Sequence, residues 1–445
     1  MNNFETPKDL PCVGDNVRDL TIRQDRNDVG DIPEDWQVEA ISAIAEVKTG
    51  PFGSSLHERD YVDDGTPIVT VEHLSEFGIS HRNLPMVADS DRYRLKSYCL
   101  RTGDIVFSRV GSIDRNALIT EKEDGWLFSG RLLRVRTSAN TTHPQYLSYY
   151  FHSEPFKKRV REVAVGQTMA SLNTQILKSV CVFIPPNPEQ RAIAEALSDV
   201  DRLLVALETL IAKKRAIKQA AMQQLLTGKT RLPGFSGQWT SVNLTYDSLL
   251  KARIGWQGLT TSEYLNSGDY YLVTGTDFSG GRINWSGCFY VDYNRFMQDA
   301  NIQLAPGDVL LTKDGTIGKV GFVNTLPLPA TLNSGIFVIR PRKNAYIPMY
   351  LYYVLTSRIF ENFLGRLQAG STISHLYQKD FVDFTFEAPQ LNEQRAITAF
   401  LSDMDAEIDA LEIRRDKIGA IKQAMMQQLL TGRVRLIQAE ETEYG

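Results

Sequence analysis

Long apolar segments, a leader sequence and a cysteine framework are all missing from this sequence. No apolar run approaches the roughly 20 residues that cross a bilayer. The first ten residues, MNNFETPKDL, have neither the basic region nor the apolar core of a secretion signal. The four cysteines, Cys12, Cys99, Cys181 and Cys288, are far apart and form no CxxC pair. We therefore expect a cytoplasmic protein with reduced thiols and no membrane partner.

Catalytic and metal-binding motifs are missing as well. The six histidines form no HxxxH pair, which argues against a zinc site. Residues 228–230 (GKT) match the end of a phosphate-binding loop, but that loop needs a glycine where Gln223 stands. Residues 185–188 (PPNP) do not have the order of an adenine methyltransferase tetrapeptide. We predict no catalytic residue, no metal and no cofactor bound by this chain.

Basic residues are not in excess. The 49 Lys and Arg stand against 53 Asp and Glu, and the net charge is -4. DNA-binding domains are usually basic overall, but a local patch of Lys and Arg can supply the phosphate contacts. Composition alone therefore leaves DNA binding open.

What the sequence does contain is a duplication. The segment from Glu189 (EQRAIAEALSDVDRLLVALETLIAKKRAIKQAAMQQLLTGKTRL) and the segment from Glu393 (EQRAITAFLSDMDAEIDALEIRRDKIGAIKQAMMQQLLTGRVRL) are identical at 27 of 44 positions. Their offset is a constant 204, and it continues upstream, where GDIV at 103–106 matches GDVL at 307–310. Further matched pairs are Gly111 and Gly315, Gly166 and Gly370, and Thr168 and Thr372.

The duplication divides the chain into two variable heads, each followed by a nearly invariant spacer. Trp36 and Trp239 lie near the starts of the heads, one residue out of register, and we expect both to anchor cores. The predicted segments are a polar extension (1–31), head 1 (32–186), spacer 1 (187–232), head 2 (233–388), spacer 2 (389–436) and an acidic tail (437–445).

Both spacers are predicted to be long helices. Asn187 and Pro188 suit the N-cap and first position of a helix, and Gly228 and Gly432 suit C-terminal caps. About 40 residues at 1.5 Å each give a rod of roughly 60 Å. Apolar residues recur at spacings of four and three, which is typical of a coiled-coil seam. The predicted seam residues are Ile193, Leu197, Val200, Leu204, Leu207, Ile211, Ile397, Leu401, Met404, Ile408, Leu411 and Ile418.

The charges along the spacers favour antiparallel pairing. Spacer 1 is acidic early, as at Asp201, and basic late, as at Lys214 and Lys218. Spacer 2 is acidic early, as at Asp405 and Glu407, and mixed later. Antiparallel pairing sets acidic halves beside basic ones, whereas parallel pairing would align like charges. The alternative is that these charges form a solvated face.

The heads combine strand and helix patterns. Residues 67–71 and 132–136 are β-rich, and residues 145–162 and 348–367 have helical patterns. The expected fold class is α+β, with two duplicated heads separated by a long antiparallel coiled-coil helix pair and related by a pseudo-twofold axis.

These motifs resemble the specificity subunits of type I DNA restriction–modification systems. The resemblance covers residues 32–436 and is most specific in the spacers. It is carried by KTGPFGSSL at 48–56, GWQGLT at 255–260, YLVTGTD at 271–277, the Gly-Asp strands with their Gly-Ser/Thr-Ile turns, and the PxxxEQRAI…LLTG spacers.

The resemblance implies a division of labour in a multisubunit complex. Each head would be a target-recognition domain that reads one half of a bipartite site in double-stranded DNA. The paired spacers would fix the gap and dock two modification subunits, which carry S-adenosylmethionine-dependent adenine methylation. Separate restriction subunits would supply ATP- and Mg-dependent translocation and cleavage. The chain itself would be a non-catalytic subunit.

The candidate DNA contacts are basic and hydroxyl residues near the glycine-rich segments of the heads. Such side chains suit base edges and phosphates, and a plain surface charge is the alternative for each. The candidates are Lys48, Arg59, Arg109, Ser112 and Arg115 in head 1, and Lys251, Arg253, Lys313, Thr316 and Lys319 in head 2.

Two other functions fit parts of the pattern. A coiled-coil adaptor with protein-binding heads fits their near-neutral charge, 18 basic against 19 acidic residues in 33–186 and 12 against 12 in 236–388. Salt-dependent binding to duplex DNA would separate it from a DNA reader. A self-sufficient restriction or methylation enzyme is disfavoured by the missing cofactor motifs.

Overall fold

The computed structural model describes residues 32–51, 56, 58–75, 78–138, 141–164, 171–368 and 375–437. The predicted extension 1–31 and residues 438–445 of the predicted tail lie outside them. The chain forms two compact units: unit 1 comprises residues 1–208 and 414–445, and unit 2 comprises residues 209–413. Each unit therefore holds one head, part of the spacer helix that follows it, and part of the other spacer helix.

Head 1 is a mixed α+β structure. Its strands are β1 (Gln37–Ala40), β2 (Ala45–Thr49), β3 (Tyr61–Val62), β4 (Thr66–Val69), β5 (Leu74–Ser75), β6 (Gly78–Ile79), β7 (Met86–Val87), β8 (Ile105–Ser108), β9 (Asn116–Leu118), β10 (Leu127–Phe128), β11 (Leu132–Thr137) and β12 (Cys181–Ile184). Its helices are α1 (Ile41–Ile44), α2 (Asp89–Arg94), α3 (Pro144–His152), α4 (Glu154–Val163) and α5 (Thr174–Ser179), and the long helix α6 (Asn187–Leu225) follows.

Two sheets and a strand pair organise head 1. One antiparallel sheet has the order β2-β11-β8-β9, and a second has the order β10-β4-β7-β3, in which β4 and β10 are parallel. The strand β1 pairs with β12 and so joins the start of the head to its end. Phe107 of β8 packs edge-on against Phe151 and Phe156 in the main core.

Head 2 repeats this plan. Its strands are β13 (Thr240–Asn243), β14 (Ser248–Lys251), β15 (Tyr270–Val273), β16 (Phe278–Ser279), β17 (Arg282–Ile283), β18 (Phe289–Val291), β19 (Val309–Thr312), β20 (Val320–Phe322), β21 (Ala330–Leu332), β22 (Ile336–Pro341) and β23 (Thr385–Ala388). Its helices are α7 (Leu244–Asp247), α8 (Tyr293–Met297), α9 (Pro348–Leu355) and α10 (Arg358–Gln368), and the long helix α11 (Leu391–Leu429) follows.

Every strand of head 1 except β3 has a counterpart strand among the described residues of head 2. The sheet β14-β22-β19-β20 repeats β2-β11-β8-β9, and β18-β15-β21 repeats β7-β4-β10. From β4 onward the matched strands start 204 residues apart, except that β18 and β21 each begin one residue early, whereas β1 and β2 start 203 residues before β13 and β14. The one-residue shift between Trp36 and Trp239 therefore belongs to the first two strands of the head.

The long helices begin and end close to the predicted positions. Each has 39 residues. The first begins at Asn187, so Asn187 is its first helical residue and not the N-cap that the sequence predicted. Gly228 and Gly432 have φ of 68° and 73°, which confirms them as C-terminal caps, because a left-handed residue there is best supplied by glycine.

The helical patterns within the heads are each split in two. The first breaks at Ser153, between α3 and α4, where Pro155 occupies the first turn of α4. The second breaks near Ser357, whose Oγ accepts a hydrogen bond from the Ile359 N–H at 3.2 Å. A proline and a capping serine thus end helices that the apolar spacing alone would continue.

Ion pairs confirm antiparallel pairing of the long helices within each unit. In unit 2 the late part of α6 pairs with the early part of α11 through Lys214–Glu407 (2.6 Å), Arg215–Glu412 (2.6 Å) and Lys218–Asp405. In unit 1 the late part of α11 pairs with the early part of α6 through Lys422–Asp201 (2.8 Å). The acidic residues early in each long helix therefore pair with basic residues late in the other, and do not merely form a solvated face.

Apolar contacts show the same arrangement. Met222 and Leu225 near the end of α6 share the core of unit 2 with Ile397 and Leu401 at the start of α11. Unit 1 has the corresponding cluster at the start of α6 and the end of α11. Eight predicted seam residues are buried, namely Ile193, Leu197, Leu204, Leu207, Ile211, Ile397, Leu401 and Ile408. Four are half-buried, namely Val200, Met404, Leu411 and Ile418.

Within the described ranges, no helix is both long enough and apolar enough to cross a membrane. Cys99 and Cys288 are free thiols, whereas Cys12 lies outside the described residues.

Candidate nucleic-acid interface

The glycine turn of head 1 follows β8 and returns to β9. The Ser108 N–H donates to the Arg115 carbonyl at 2.8 Å, and the Ile113 N–H donates to Gly111 O at 2.9 Å. Gly111 has a φ of 79°, a conformation that costs glycine little. Ile113 is buried beneath the turn, while Ser112 is exposed. The buried Ile113 thus fixes the turn to the core, and the tip at Ser112 is exposed.

The turn of head 2 repeats both backbone hydrogen bonds and the positive φ of its glycine, and it differs at Gly318, whose φ is 88°. The Thr312 N–H donates to Lys319 O at 2.9 Å, and the Ile317 N–H donates to Gly315 O at 3.1 Å. Gly315 has a φ of 69°. Thr316 and Lys319 are exposed. The structure thus places the two predicted turns at equivalent positions on equivalent frames.

A second segment backs each turn. In head 1 the Leu172 N–H donates to Arg109 O at 2.8 Å, and in head 2 the Leu376 N–H donates to Lys313 O at 2.9 Å. The matched pairs Gly166 and Gly370, and Thr168 and Thr372, precede these backing segments and lie outside the described residues. Gly53, Ser54 and Ser55 of the first glycine-rich opening also lie outside them.

Two of the candidate DNA-binding cations make contacts within their own heads. The Lys48 ammonium donates to Ser97 O at 2.9 Å and lies 4.5 Å from the centre of the Tyr98 ring. Arg253 is 3% exposed, and its guanidinium donates to Leu332 O at 2.9 Å and to Thr331 Oγ1 at 3.2 Å. Arg253 is therefore a buried cross-link, and the prediction that it is an exposed cation available to DNA is wrong.

The other candidates are exposed or half-buried. Arg59 has 81% of its side chain exposed, and Lys251 is exposed at the end of β14. Arg109 is half-buried, with Nη1 3.4 Å from Gly130 O. Arg115 is exposed but directs Nη2 to Leu74 O. These cations are spread over the heads, and the two turns are the places where the structure brings several candidates together.

Head 2 adds a charged group at its turn that the sequence did not predict. Asp314 Oδ2 accepts from Lys313 Nζ at 2.9 Å, and Asp314 Oδ1 lies 2.5 Å from Nδ1 of His375. Burial raises the pKa of Asp314, but the hydrogen bonds from His375 and Lys313 outweigh it and hold this pKa below its usual value. The exposed ring of Tyr377 lies 6.1 Å from the His375 ring. Head 1 has Val110 and Ser171 at the positions of Asp314 and His375.

Each unit contains a buried ion pair beside its tryptophan. In unit 1, Arg435 binds Glu189 at 2.6 and 2.7 Å, and the Trp36 indole donates to the same carboxylate at 3.0 Å. In unit 2, Arg231 binds Glu393 at 2.7 and 2.5 Å. Trp36 is buried in its core, as expected, whereas Trp239 is half-buried.

No group of three His, Cys, Asp or Glu residues is arranged to hold a metal in the part of the chain that the structure describes.

Comparison with known proteins identifies the family. The model of the type I restriction modification DNA specificity domain matches residues 33–219 and 257–419. The putative type I restriction enzyme MjaX specificity subunit of Methanocaldococcus jannaschii is 26% identical over 426 residues, which cover 92% of this chain and 96% of the relative. The EcoBI specificity subunit of Escherichia coli is 20% identical, over 88% of this chain and 84% of the relative.

A solved structure shares the fold. The type I restriction–modification S subunit from M. genitalium aligns with a TM-score of 0.58 at 14% identity, over 90% of this chain and 96% of that one. The family match falls on both repeats, and it favours a DNA-specificity role over a protein-binding adaptor. The chain belongs to the type I restriction–modification DNA specificity family.

Proposed function

We propose that head 1 and head 2 each read one half of a bipartite site in double-stranded DNA. The chain would then be the non-catalytic specificity subunit of a type I restriction–modification complex. The observation that carries the proposal is the pair of equivalent glycine turns. A constant backbone frame with exchanged side chains suits two readers of the same kind with different targets.

The residues on the two turns differ in what they offer to DNA. Residues 109–115 (RVGSIDR) present a serine and two arginines, and residues 313–319 (KDGTIGK) present a threonine and two lysines. Arginine matches the O6 and N7 acceptors of guanine in a bidentate manner, whereas lysine acts as a point charge. We therefore expect the two half-sites to differ in sequence.

An exchange of turns tests this proposal. Residues 313–317 are replaced by RVGSI and Lys319 by Arg, while Gly318 is kept, because its φ is 88° and an added Cβ would meet Leu364 at 2.7 Å. The chain is then assembled with its cognate modification subunit. Mapping of methylated adenines should show a changed second half-site and an unchanged first half-site and gap. The reciprocal exchange at 109–115 is the matched control and should alter only the first half-site. Changes in both half-sites from either exchange would contradict independent readers.

The long helices offer two equivalent surfaces for partners. Ile217 and Ile421 occupy matched positions of the repeat and have 46% and 50% of their surface exposed. An exposed apolar side chain that recurs at the same place of a repeat suits a recurring partner surface. We propose that one modification subunit docks over each isoleucine, which gives two per chain.

Ile217→Glu and Ile421→Glu should each reduce the ratio of modification subunits to this chain from two to one, measured by native mass spectrometry. Ile413→Glu is the control, since Ile413 is 56% exposed and its matched residue is the polar Thr209. Retention of both partners by the double variant would contradict this docking surface. We place the S-adenosylmethionine, ATP and magnesium of the complex on its other subunits, and the complex in the cytoplasm.

A further inference from the structure

A carboxylate and an imidazole meet beside the glycine turn of head 2. Asp314 comes directly before Gly315 of the turn, and His375 lies opposite it in an antiparallel β-bridge of the backing segment. Asp314 Oδ1 and His375 Nδ1 are 2.5 Å apart. The side chain of His375 is 52% exposed, and that of Asp314 is 28% exposed. The pair therefore lies at the surface next to the turn, with the imidazole as its more exposed member.

The duplicated head shows that the backbone does not require this pair. Val110 and Ser171 form the same antiparallel bridge in head 1, 204 residues earlier in the sequence. A valine side chain has no atom that accepts a hydrogen bond. Head 2 thus holds an oriented imidazole where the same bridge in head 1 holds an aliphatic side chain and a hydroxyl. The reason for the Asp314–His375 pair must lie outside the shared backbone.

The hydrogen bond fixes which nitrogen of His375 carries a proton. Burial raises the pKa of Asp314, but the hydrogen bonds from His375 and from Lys313, at 2.9 Å, hold this pKa below its usual value. The carboxylate is therefore ionised and can only accept, so His375 Nδ1 donates. In a neutral imidazole the other nitrogen, Nε2, is then an acceptor. No hydrogen-bond partner of Nε2 is found among the described residues.

An acceptor at this place complements the rest of the turn. Lys313 and Lys319 offer only donors, and both oxygens of Asp314 already accept within the head. In the major groove the N6 amino group of adenine and the N4 amino group of cytosine donate, whereas guanine and thymine present the acceptors O6 and O4. An acceptor with a fixed direction therefore distinguishes adenine from guanine, and cytosine from thymine.

We propose that His375 is a specificity-determining residue of head 2, which accepts a hydrogen bond from the exocyclic amino group of one adenine or cytosine in the second half-site. Asp314 is the residue that positions its ring. This assignment rests on the proposed function and names one group that head 2 reads. His375 lies outside the residues of the turn exchange, so the two can be tested separately.

Duplexes that lack a single amino group test the assignment. In the second half-site, known from methylation mapping, each adenine is replaced in turn by purine and each cytosine by 2-pyrimidinone, which removes only the amino group. Binding by the full chain with its cognate modification subunit is measured at about pH 8.5, where an ordinary histidine is neutral. At one position the analogue should weaken binding about fivefold, since one hydrogen bond is lost. His375→Ser, which copies the residue of head 1, should be insensitive to that analogue.

The role of Asp314 has its own variant and control. Asp314→Val, which copies head 1 again, should reduce the effect of the analogue to less than about twofold, because the ring loses its fixed tautomer and direction. Tyr377→Phe is the matched control, since Tyr377 follows His375 on the same segment and is 55% exposed. It should retain the full effect of the analogue.

The failure of this assignment and the failure of the proposed function give different results. If every analogue affects the unaltered chain and His375→Ser equally, the role of His375 is overturned, while reading of DNA by head 2 stands. A full effect of the analogue in Asp314→Val would overturn the positioning role of Asp314. If the turn exchange leaves the second half-site unchanged, the proposed function is overturned and the assignment with it.

Discussion

The buried ion pairs Arg435–Glu189 in unit 1 and Arg231–Glu393 in unit 2 give a quantitative prediction. Glu189 and Glu393 are 1% and 2% exposed, and each accepts two hydrogen bonds from an arginine with 25% of its side chain exposed. Removal of the cation from a buried pair typically destabilises a protein by about 3–5 kcal/mol, since the carboxylate remains buried without compensation. Partial exposure of the arginines reduces the expected loss to about 2–4 kcal/mol.

The two units should not respond equally. After Arg435→Met, Glu189 still accepts from the Trp36 indole at 3.0 Å. After Arg231→Met, Glu393 has no such support, because Trp239 Nε1 has no hydrogen-bond partner among the described residues. The Trp36 hydrogen bond to the Glu189 carboxylate contributes about 1.5–3 kcal/mol, as is usual for a bond to a charged group. Arg435→Met also removes the exposed ion pair between Arg435 and Asp35, which costs unit 1 up to about 1 kcal/mol. We expect Arg231→Met to be the more damaging change by about 1 kcal/mol.

Native-state hydrogen exchange with mass spectrometry is the appropriate measurement, because a chain of two units need not unfold in one transition. Protection should fall at the ends of the helices in the mutated unit. Trp36→Phe combined with Arg435→Met should bring the loss in unit 1 to that of Arg231→Met in unit 2. Arg59→Met, at an 81% exposed side chain, is the control and should change protection by less than about 0.5 kcal/mol. Losses below that level for both arginines would refute the reasoning.

Two further predictions concern conformation and pH. By the same hydrogen-exchange measurement, Gly432→Ala should destabilise unit 1 by about 2–4 kcal/mol and Gly228→Ala should destabilise unit 2 by about 1 kcal/mol. Both glycines have positive φ, but only the Cβ added at 432 meets Pro33, at 2.5 Å. Equal losses would contradict the steric argument. The pKa of His152 is lowered from 6.5 to about 4, by burial and then by two neighbouring lysines, so the unfolded chain binds its proton first as pH falls. Stability should be complete above pH 6.5 and fall by about 3 kcal/mol towards pH 4. His152→Gln should reduce this slope, and an unchanged slope would show that other groups cause it.

Local chemistry was sufficient to predict the elements that repeat. The glycines at 228 and 432 and the alternation of apolar residues determine long helices with defined ends, and acidic and basic stretches determine their antiparallel pairing. The heads were predictable as a class, because β-rich and helical patterns alternate within each. The break at Ser153 was also readable, since Pro155 cannot continue the preceding helix.

Whether an individual cation is buried or exposed could not be predicted from the sequence. Lys251 and Arg253 have similar local contexts, yet Lys251 is exposed and Arg253 is 3% exposed. The difference arises because β14 ends at Lys251, so the alternation of the strand no longer governs residue 253. Its guanidinium then reaches carbonyl and hydroxyl acceptors of β21, which is about 80 residues away in sequence, as at Leu332 (79 residues). Burial of this kind depends on tertiary neighbours that local patterns do not specify.

The duplication supplies a stronger test of function than either copy alone. Where both copies keep a residue, as at Gly111 and Gly315, the shared backbone explains it, since each has a positive φ at the same turn. Where the copies differ while the backbone is the same, folding does not dictate the choice. Asn116 against Val320 is the clearest case, because valine fills the position without the cost of an unpaired amide. At such a position the reason for the polar residue must lie in something other than the shared backbone.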